Sequence, residues 1–317
     1  MLNTKEFNAL DLAQPTNFNA MMKSGELLWG TTCRIPSEES ARILASLPHQ
    51  FCFIDSVLIS AFDSEQEHTP IGPTELARLI RAIQYFSCGS MVPLVRVPAN
   101  SPDLITYALN AGAGGVIKPH IQNATEAREF AKLARFPPHG IRSFPPGAFV
   151  GDQARAPPGK SVYDVWNEHI AVICQIEDVE GVRNIDEIAG VAGVDALMVG
   201  ASDLRFSLGL EAGSPDGDEE CFVQSLSKIQ RAAKRHGLPV LGFGTSPEVL
   251  RKRIALGWTA FVIHSDVAGL FQSGIQSLET FSGAALKLKQ VVTKSGLVTN
   301  GEVRTLSTDS LMNKPDE

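Results

Sequence analysis

Two acids draw attention first, because each follows a short apolar run: AVICQI leads to Glu177 and ALMVG leads to Asp203, with a helix-length segment between the runs. That pattern predicts a β-α-β unit with a carboxylate at the carboxyl end of each strand, the edge where α/β proteins assemble their sites. Two neighbouring carboxylates there suit a hard divalent cation, which takes oxygen ligands and keeps positions open for substrate and water. The same two acids also fit as caps of the helices that follow. Gln175 precedes Glu177 by two residues and so shares its face of the strand, where it serves either the site or the core as an amide. Arg96 sits inside the apolar run VPLVRVP, and a charge in such a strand is costly unless it is paired or reaches the strand end. The amides of Gly200, Ala201 and Ser202, at a strand-to-helix turn, present N–H groups to an anion such as a substrate carboxylate.

The elements that must position these groups follow a regular rhythm. Short apolar runs occur at 27–33, 51–55, 92–98, 114–121, 171–176, 196–200, 239–244 and 260–265. Between most of them lie amphipathic segments that open on helix-start signals: Ser37, Pro73-Thr74, Asn123 and Ser246-Pro247. Near-continuous apolar strands are buried on both faces, so the sheet is expected to be parallel with helices outside it. Eight such repeats predict a closed (β/α)8 TIM barrel over 27–290. The alternative is a doubly wound open sheet, but no GxGxxG follows the first strand. Residues 1–26 read as an arm or first helix, 137–169 as a long Pro- and Gly-rich excursion, and 291–317 as a polar, disordered tail.

Composition narrows the partners. A formal net charge of −7 argues against a nucleic-acid surface or an anionic membrane. The five cysteines are scattered without a CxxC pair and read as free thiols in a reducing compartment. No apolar run nears the roughly 18–20 residues needed to span a bilayer. The opening MLNTKEFNALDLAQ lacks a basic region followed by an apolar core, so a cytoplasmic protein is expected.

Several motifs agree in order and spacing with one family. QIED at 175–178 followed by VGASDL at 199–204 resembles the metal-site signature of the HpcH/HpaI aldolases, divalent-metal-dependent (class II) pyruvate aldolases of the 4-hydroxy-2-oxoheptanedioate aldolase type. VPLVRVP resembles the family's arginine strand, and residues 111–144 resemble its longest signature, which leads into the FPPHGIRS segment. Within the family, RSFPPGAF resembles the fungal members of macrophomate synthase type, which decarboxylate oxaloacetate and use the resulting enolate. The resemblance implies Glu177 and Asp203 as ligands of Mg2+, or of Mn2+ or Co2+, and Arg96 beside the enolate oxygen. It also implies a histidine base held by an aspartate in a D-x-E-H motif. Here that motif is interrupted: removing residues 57–66 rejoins Asp55-Ser56 to Glu67-His68, so His68 is assigned as the base and Asp55 as its partner, with Asp63 as the alternative partner. Ala201 stands where the family usually has proline, and Lys118 where it has a small apolar residue. Lys118 reads as a solvent-reaching lysine, as a site for a second substrate carboxylate or as a Schiff-base amine. His264 reads as a structural hydrogen-bonding residue, His120 as a candidate pocket residue, and Arg142 as a brace for the long loop.

The function implied is a carbon–carbon lyase acting on a 2-oxo acid, pyruvate or oxaloacetate, together with an aldehyde or an unsaturated acceptor. The resemblance implies a homo-oligomer, a hexamer built as a trimer of dimers. Two other readings stay open: an oxaloacetate decarboxylase or enolate-adding synthase of secondary metabolism, and an aldolase-like barrel inactivated by the 57–66 insertion.

Overall fold

A computed structural model describes residues 2–8, 14–56, 71–99, 101–144, 156–211 and 215–294. The expected insertion, His68 and the tail beyond 294 lie outside the described residues. Eight parallel strands close into a barrel in chain order: β1 (Leu28–Cys33), β2 (Phe51–Asp55), β3 (Val92–Arg96), β4 (Gly115–Lys118), β5 (Ala171–Ile176), β6 (Ala196–Val199), β7 (Val240–Phe243) and β8 (Ala260–Ser265). β1 pairs with β8 to complete the ring, with a register shift at Gly30/Thr31. The TIM barrel expected from the eight apolar runs is the observed fold.

Alternation along each strand divides the apolar residues into two layers. Leu28, Phe51, Phe53, Val92, Leu94, Ile117, Ala171, Ile173, Met198 and Val262 point inward and fill the barrel. Cys33, Cys52, Val95, Val116, Cys174 and Leu197 point outward against the helices. Gly30 faces inward, where any side chain would run into the Phe51 ring. The helix α1 (Phe18–Lys23) closes the amino-terminal mouth: Phe18, Met21 and Met22 are buried with the interior set, and Phe18 meets Phe51 edge-on at 5.6 Å.

The outer layer comprises α2 (Glu38–Ala45), α3 (Pro73–Phe86), α4 (Pro102–Asn110), α5 (Ala124–Ala134), α6 (Val162–His169), α7 (Val179–Arg183), α8 (Ile185–Ala189), α9 (Ala201–Ser207), α10 (Glu220–His236) and α11 (Pro247–Leu256). Asn123 and Ser246 cap α5 and α11 through their side chains, whereas Ser37 makes no such bond and α3 starts after Gly72. Gly237 takes φ +66° to end α10, whose last turn carries Lys234, Arg235 and His236. The last described element is α12 (Asp266–Lys294). The chain divides into compact units at Val267/Ala268, and along α12 Leu270, Phe271, Leu278 and Phe281 are exposed. No described helix is long and apolar enough to cross a membrane.

At the amino ends of β5 and β6 a buried ion pair ties the excursion to the barrel. Arg135 donates to Asp195 and to the Ile170 carbonyl at 3.0 Å, and Asp195 also accepts from the Val172 amide at 2.8 Å. Nearby, Arg142 stacks over the Phe136 and Trp166 rings at 4.3 and 4.4 Å and donates to Asn110 at 2.7 Å. Burial, with the Arg135 charge beside it, pulls the Arg142 guanidinium down to about 9. Arg142 therefore braces the start of the long loop, far from the carboxyl-terminal mouth. Removing one partner of a buried pair strands the other charge. Asp195→Ala is expected to destabilise the barrel by about 3–5 kcal/mol, read as a lower urea midpoint; a midpoint equal to the wild type's would count against this role.

Candidate active site

The inward alternation that fills the barrel with apolar side chains ends at its carboxyl-terminal mouth in charged ones. Asp55 closes β2 and Arg96 closes β3, directly opposite each other in the strand register. Arg96 is only 6% exposed, and it donates from Nε to Asp55 Oδ1 at 2.8 Å and from an Nη to Oδ2 at 2.9 Å. This bidentate geometry fixes the guanidinium plane. The Phe53 ring lies below it at 5.5 Å. The costly arginine in an apolar strand is thus accounted for by a paired carboxylate at the strand end, and its orientation is set before any ligand arrives.

Glu177 follows β5 on the same inward face as Gln175, and only 2% of it is exposed. Its Oε1 accepts from the His120 backbone amide at 2.9 Å, and its Oε2 accepts from the Gln175 side-chain amide. His120 reaches this position in the left-handed region, at φ +52°, a conformation that costs a non-glycine residue energy and concentrates at functional sites. The His120 ring is largely exposed, with Nδ1 3.6 Å from Glu177 Oε1. Burial pushes the Glu177 carboxyl above its usual range, and the neighbouring Asp203 charge adds to the rise; His120 and Arg96 pull the other way.

Gly200 ends the β6 segment against this acid. A Cβ there would overlap Glu177 Oε2, lie 2.7 Å from Glu177 Cβ and 2.9 Å from the Gln175 amide nitrogen. The Gly200 amide donates to the Ile176 carbonyl at 3.1 Å, so it extends the sheet and is not available to a substrate. Ala201 and Ser202 stand in the first turn of α9, where amides lack intrahelical acceptors. Asp203 stands in the same turn, half-buried.

The structure therefore brings together Asp55, Arg96, Gln175, Glu177, Gly200 and Asp203, while His68 lies outside the described residues. The donor set fits a hard cation. Glu177 is a buried carboxylate disfavoured as an anion both by burial and by a second acid, a combination that a positive charge relieves. Gln175 Oε1 is buried without a hydrogen-bond partner, which leaves an acceptor for a water or a substrate hydroxyl. Among the described residues no group of three or more His, Cys, Asp or Glu side chains could enclose an ion, so two acids would hold it and the remaining positions would stay open.

The other expectations resolve as follows. Lys118 follows Ile117 on β4 and points outward, not into the mouth. It lines a cavity of about 330 Å3 with Ser101, Ile105, Glu129 and Phe130. His264 Nδ1 lies 2.9 Å from Thr31 Oγ1, a structural hydrogen bond between β8 and β1. One residue at the mouth escaped the sequence reading: Arg34, just past β1, has its Nε 3.3 Å from Asp55 Oδ2. Counting the β1 run in twos from Leu28 would have placed it inward.

Known proteins place the chain in a family and share its fold. The family described as HpcH/HpaI aldolase/citrate lyase matches residues 48–262. The chain is similar to the 2-dehydro-3,6-dideoxy-6-sulfogluconate aldolase of Pseudomonas putida, 32% identical over 69% of this chain and 82% of that one. It is also similar to the hydroxypyruvate/pyruvate aldolase of Roseovarius nubinhibens, 27% identical over 83% of this chain and 96% of that one. Among solved structures, macrophomate synthase superposes with a TM-score of 0.78 at 31% identity, covering 90% of this chain and 97% of that chain.

Gly200→Ala is expected to push Glu177 out of place and to weaken Mn2+ binding by about 10–100-fold, the scale of losing support around a metal ligand. Titration followed by electron paramagnetic resonance reads the affinity and thermal melting the fold; unchanged affinity in a folded variant would remove Gly200 from the site.

Proposed function

The chain belongs to the HpcH/HpaI aldolase/citrate lyase family, and we propose that within it the chain works as a divalent-metal-dependent aldolase, cleaving or forming 4-hydroxy-2-oxo acids through a pyruvate enolate. Membership makes it a carbon–carbon lyase. The observation that carries the finer reading is Glu177: a buried carboxylate held at both oxygens, raised by burial and by Asp203, at the barrel mouth beside Arg96.

In this reading Glu177 and Asp203 hold the cation, Mg2+ in the first place and Mn2+ or Co2+ as substitutes. When bound, it supplies Lewis-acid polarisation of the 2-oxo acid's ketone oxygen. Arg96, its plane fixed by Asp55, stabilises the negative charge that develops on that oxygen. The amides of Ala201 and Ser202 hold the substrate carboxylate, and Gln175 orients a water or hydroxyl through its free acceptor. In cleavage, His68 takes the proton of the C4 hydroxyl, the C3–C4 bond breaks, and the aldehyde leaves. The bonding pair stays on the enolate, which takes a proton at C3 to become pyruvate.

A second reading is oxaloacetate decarboxylation, with or without enolate addition to an unsaturated acceptor. The likeness to macrophomate synthase over 90% of this chain favours it. Arg96 and the Ala201-Ser202 turn serve this reaction equally, because the same charge develops on the same oxygen when the C4 carboxylate departs as CO2.

The chain is further read as a homo-oligomer, a hexamer by the family resemblance. The support is α12, where Leu270, Phe271, Leu278 and Phe281 are each at least 67% exposed. Apolar side chains shown in such a series mark interaction surfaces.

Purified protein with Mg2+ is expected to release pyruvate from a 4-hydroxy-2-oxo acid or from oxaloacetate, followed by coupled reduction to lactate. EDTA, Glu177→Gln and Asp203→Asn should each abolish this; turnover that persists in EDTA would sink the metal mechanism. Light scattering is expected to give a mass several times the 34.1 kDa of one chain, and a single-chain mass would overturn the oligomer.

A further inference from the structure

Among the described residues, Arg34 is a mouth cation for which the proposed reaction has no use. The inward set of β1 runs Leu28, Gly30, Thr32, and the same alternation continues into Arg34. Its side chain accordingly meets Asp55, the inward acid of the neighbouring strand, at 3.3 Å. That contact does not satisfy it. Both Asp55 oxygens already accept from Arg96, and the Arg34 Nε is buried without an aligned hydrogen-bond acceptor. The side chain as a whole remains 39% exposed although its Nε is buried.

The backbone that carries Arg34 is built to hold still. Asp266, 8% exposed at the end of β8, accepts from the Arg34 amide at 2.9 and 3.1 Å and from the Ile35 amide at 2.8 Å. It also accepts from Ser40 Oγ at 3.2 Å and from its neighbour's amide, Val267, at 2.8 Å. A buried carboxylate with this many donors pins the turn that presents the arginine, and so limits the freedom a guanidinium loses when it grips an anion. Two guanidinium groups thus flank the Asp55 carboxylate. Arg96 is committed to the ketone oxygen in the proposed reaction; Arg34 has its fork geometry, its exposure and its charge still to spend.

We propose that Arg34 is a specificity-determining residue that receives a second carboxylate, carried beyond the 2-oxo acid end of the substrate. The inference rests on the enolate reading above and names its substrate class: a diacid in at least one reacting half. The second carboxylate has two possible sources, the donor, as in oxaloacetate, or the aldehyde, as in glyoxylate. Lysine would keep the charge at this position but lose the planar fork.

The test uses the full-length protein with Mg2+ in two arms. The donor arm compares oxaloacetate decarboxylation with deuterium exchange into the methyl group of pyruvate, which involves one carboxylate only. The acceptor arm compares addition of pyruvate to glyoxylate with addition to acetaldehyde. In Arg34→Gln the ratio of kcat/KM, diacid over monoacid partner, is expected to fall about tenfold or more in one arm, through KM, which is the worth of one charged hydrogen bond. Arg34→Lys should recover part of the loss, and the arm that moves identifies the source. Equal losses in both members of each pair would mean that Arg34 only braces Asp55 and Arg96, and would overturn the proposal, as would ratios that do not move. If the wild type neither exchanges pyruvate deuterium nor turns over any of these compounds, the enolate reading itself has failed, a result visible before any variant is compared.

Discussion

A carboxylate kept inside an apolar barrel must be met by donors, because burial alone drives it toward its neutral form. Much of the mouth can be understood as the arrangement that keeps Glu177 in place under that constraint. His120 accepts a left-handed backbone so that its amide reaches Oε1, Gln175 supplies an amide to Oε2, and position 200 gives up its side chain because the carboxylate occupies that volume. Three separate strand ends, those of β4, β5 and β6, thus converge on one side chain. A site built this way is rigid before it binds anything, which is what transition-state stabilisation by fixed charges requires.

The remaining charges at the mouth follow from alternation. Strands β2 and β3 end on inward polar residues, Asp55 and Arg96, and the residues just past β1 and β5, Arg34 and Glu177, continue the same inward alternation. Signs alternate in chain order, so each acid has a base beside it and the cluster tolerates its low exposure. Asp55 and Arg96 sit opposite each other in register, and the pairing leaves the arginine's orientation to the sheet and not to a flexible loop. The same rule keeps Lys118 out of the mouth: it lies one residue out of phase, and its side chain enters the helix layer.

The opposite end of the barrel carries buried charge for a different purpose. Arg135 with Asp195, and Arg142 between Phe136 and Trp166, hold residues 135–144 and α6 against the amino ends of the strands. These groups sit where parallel barrels place stability, and the mouth residues sit where they place function. Arginine therefore appears in this chain in two distinct capacities, and burial by itself does not separate them; the end of the strand does.

Much of this was legible in the residues alone. Eight apolar runs and their spacing determine the barrel, because parallel strands buried on both faces leave an unmistakable hydrophobic signature. Glu177, Asp203 and Arg96 stand out because charge at the edge of such a run demands a reason. What alternation could have predicted but a reading by motif passed over is Arg34, whose run resembles no signature. Other features are decided only in three dimensions. The loss of the Gly200 amide to the Ile176 carbonyl depends on strand register, the strained His120 on the path between β4 and α5, and the grip of Asp266 on the Arg34 turn on the closure of β8 against β1. Each involves backbone groups brought together from distant positions. Side-chain type records which residues want to be buried or charged, but which N–H meets which oxygen is set when the barrel closes.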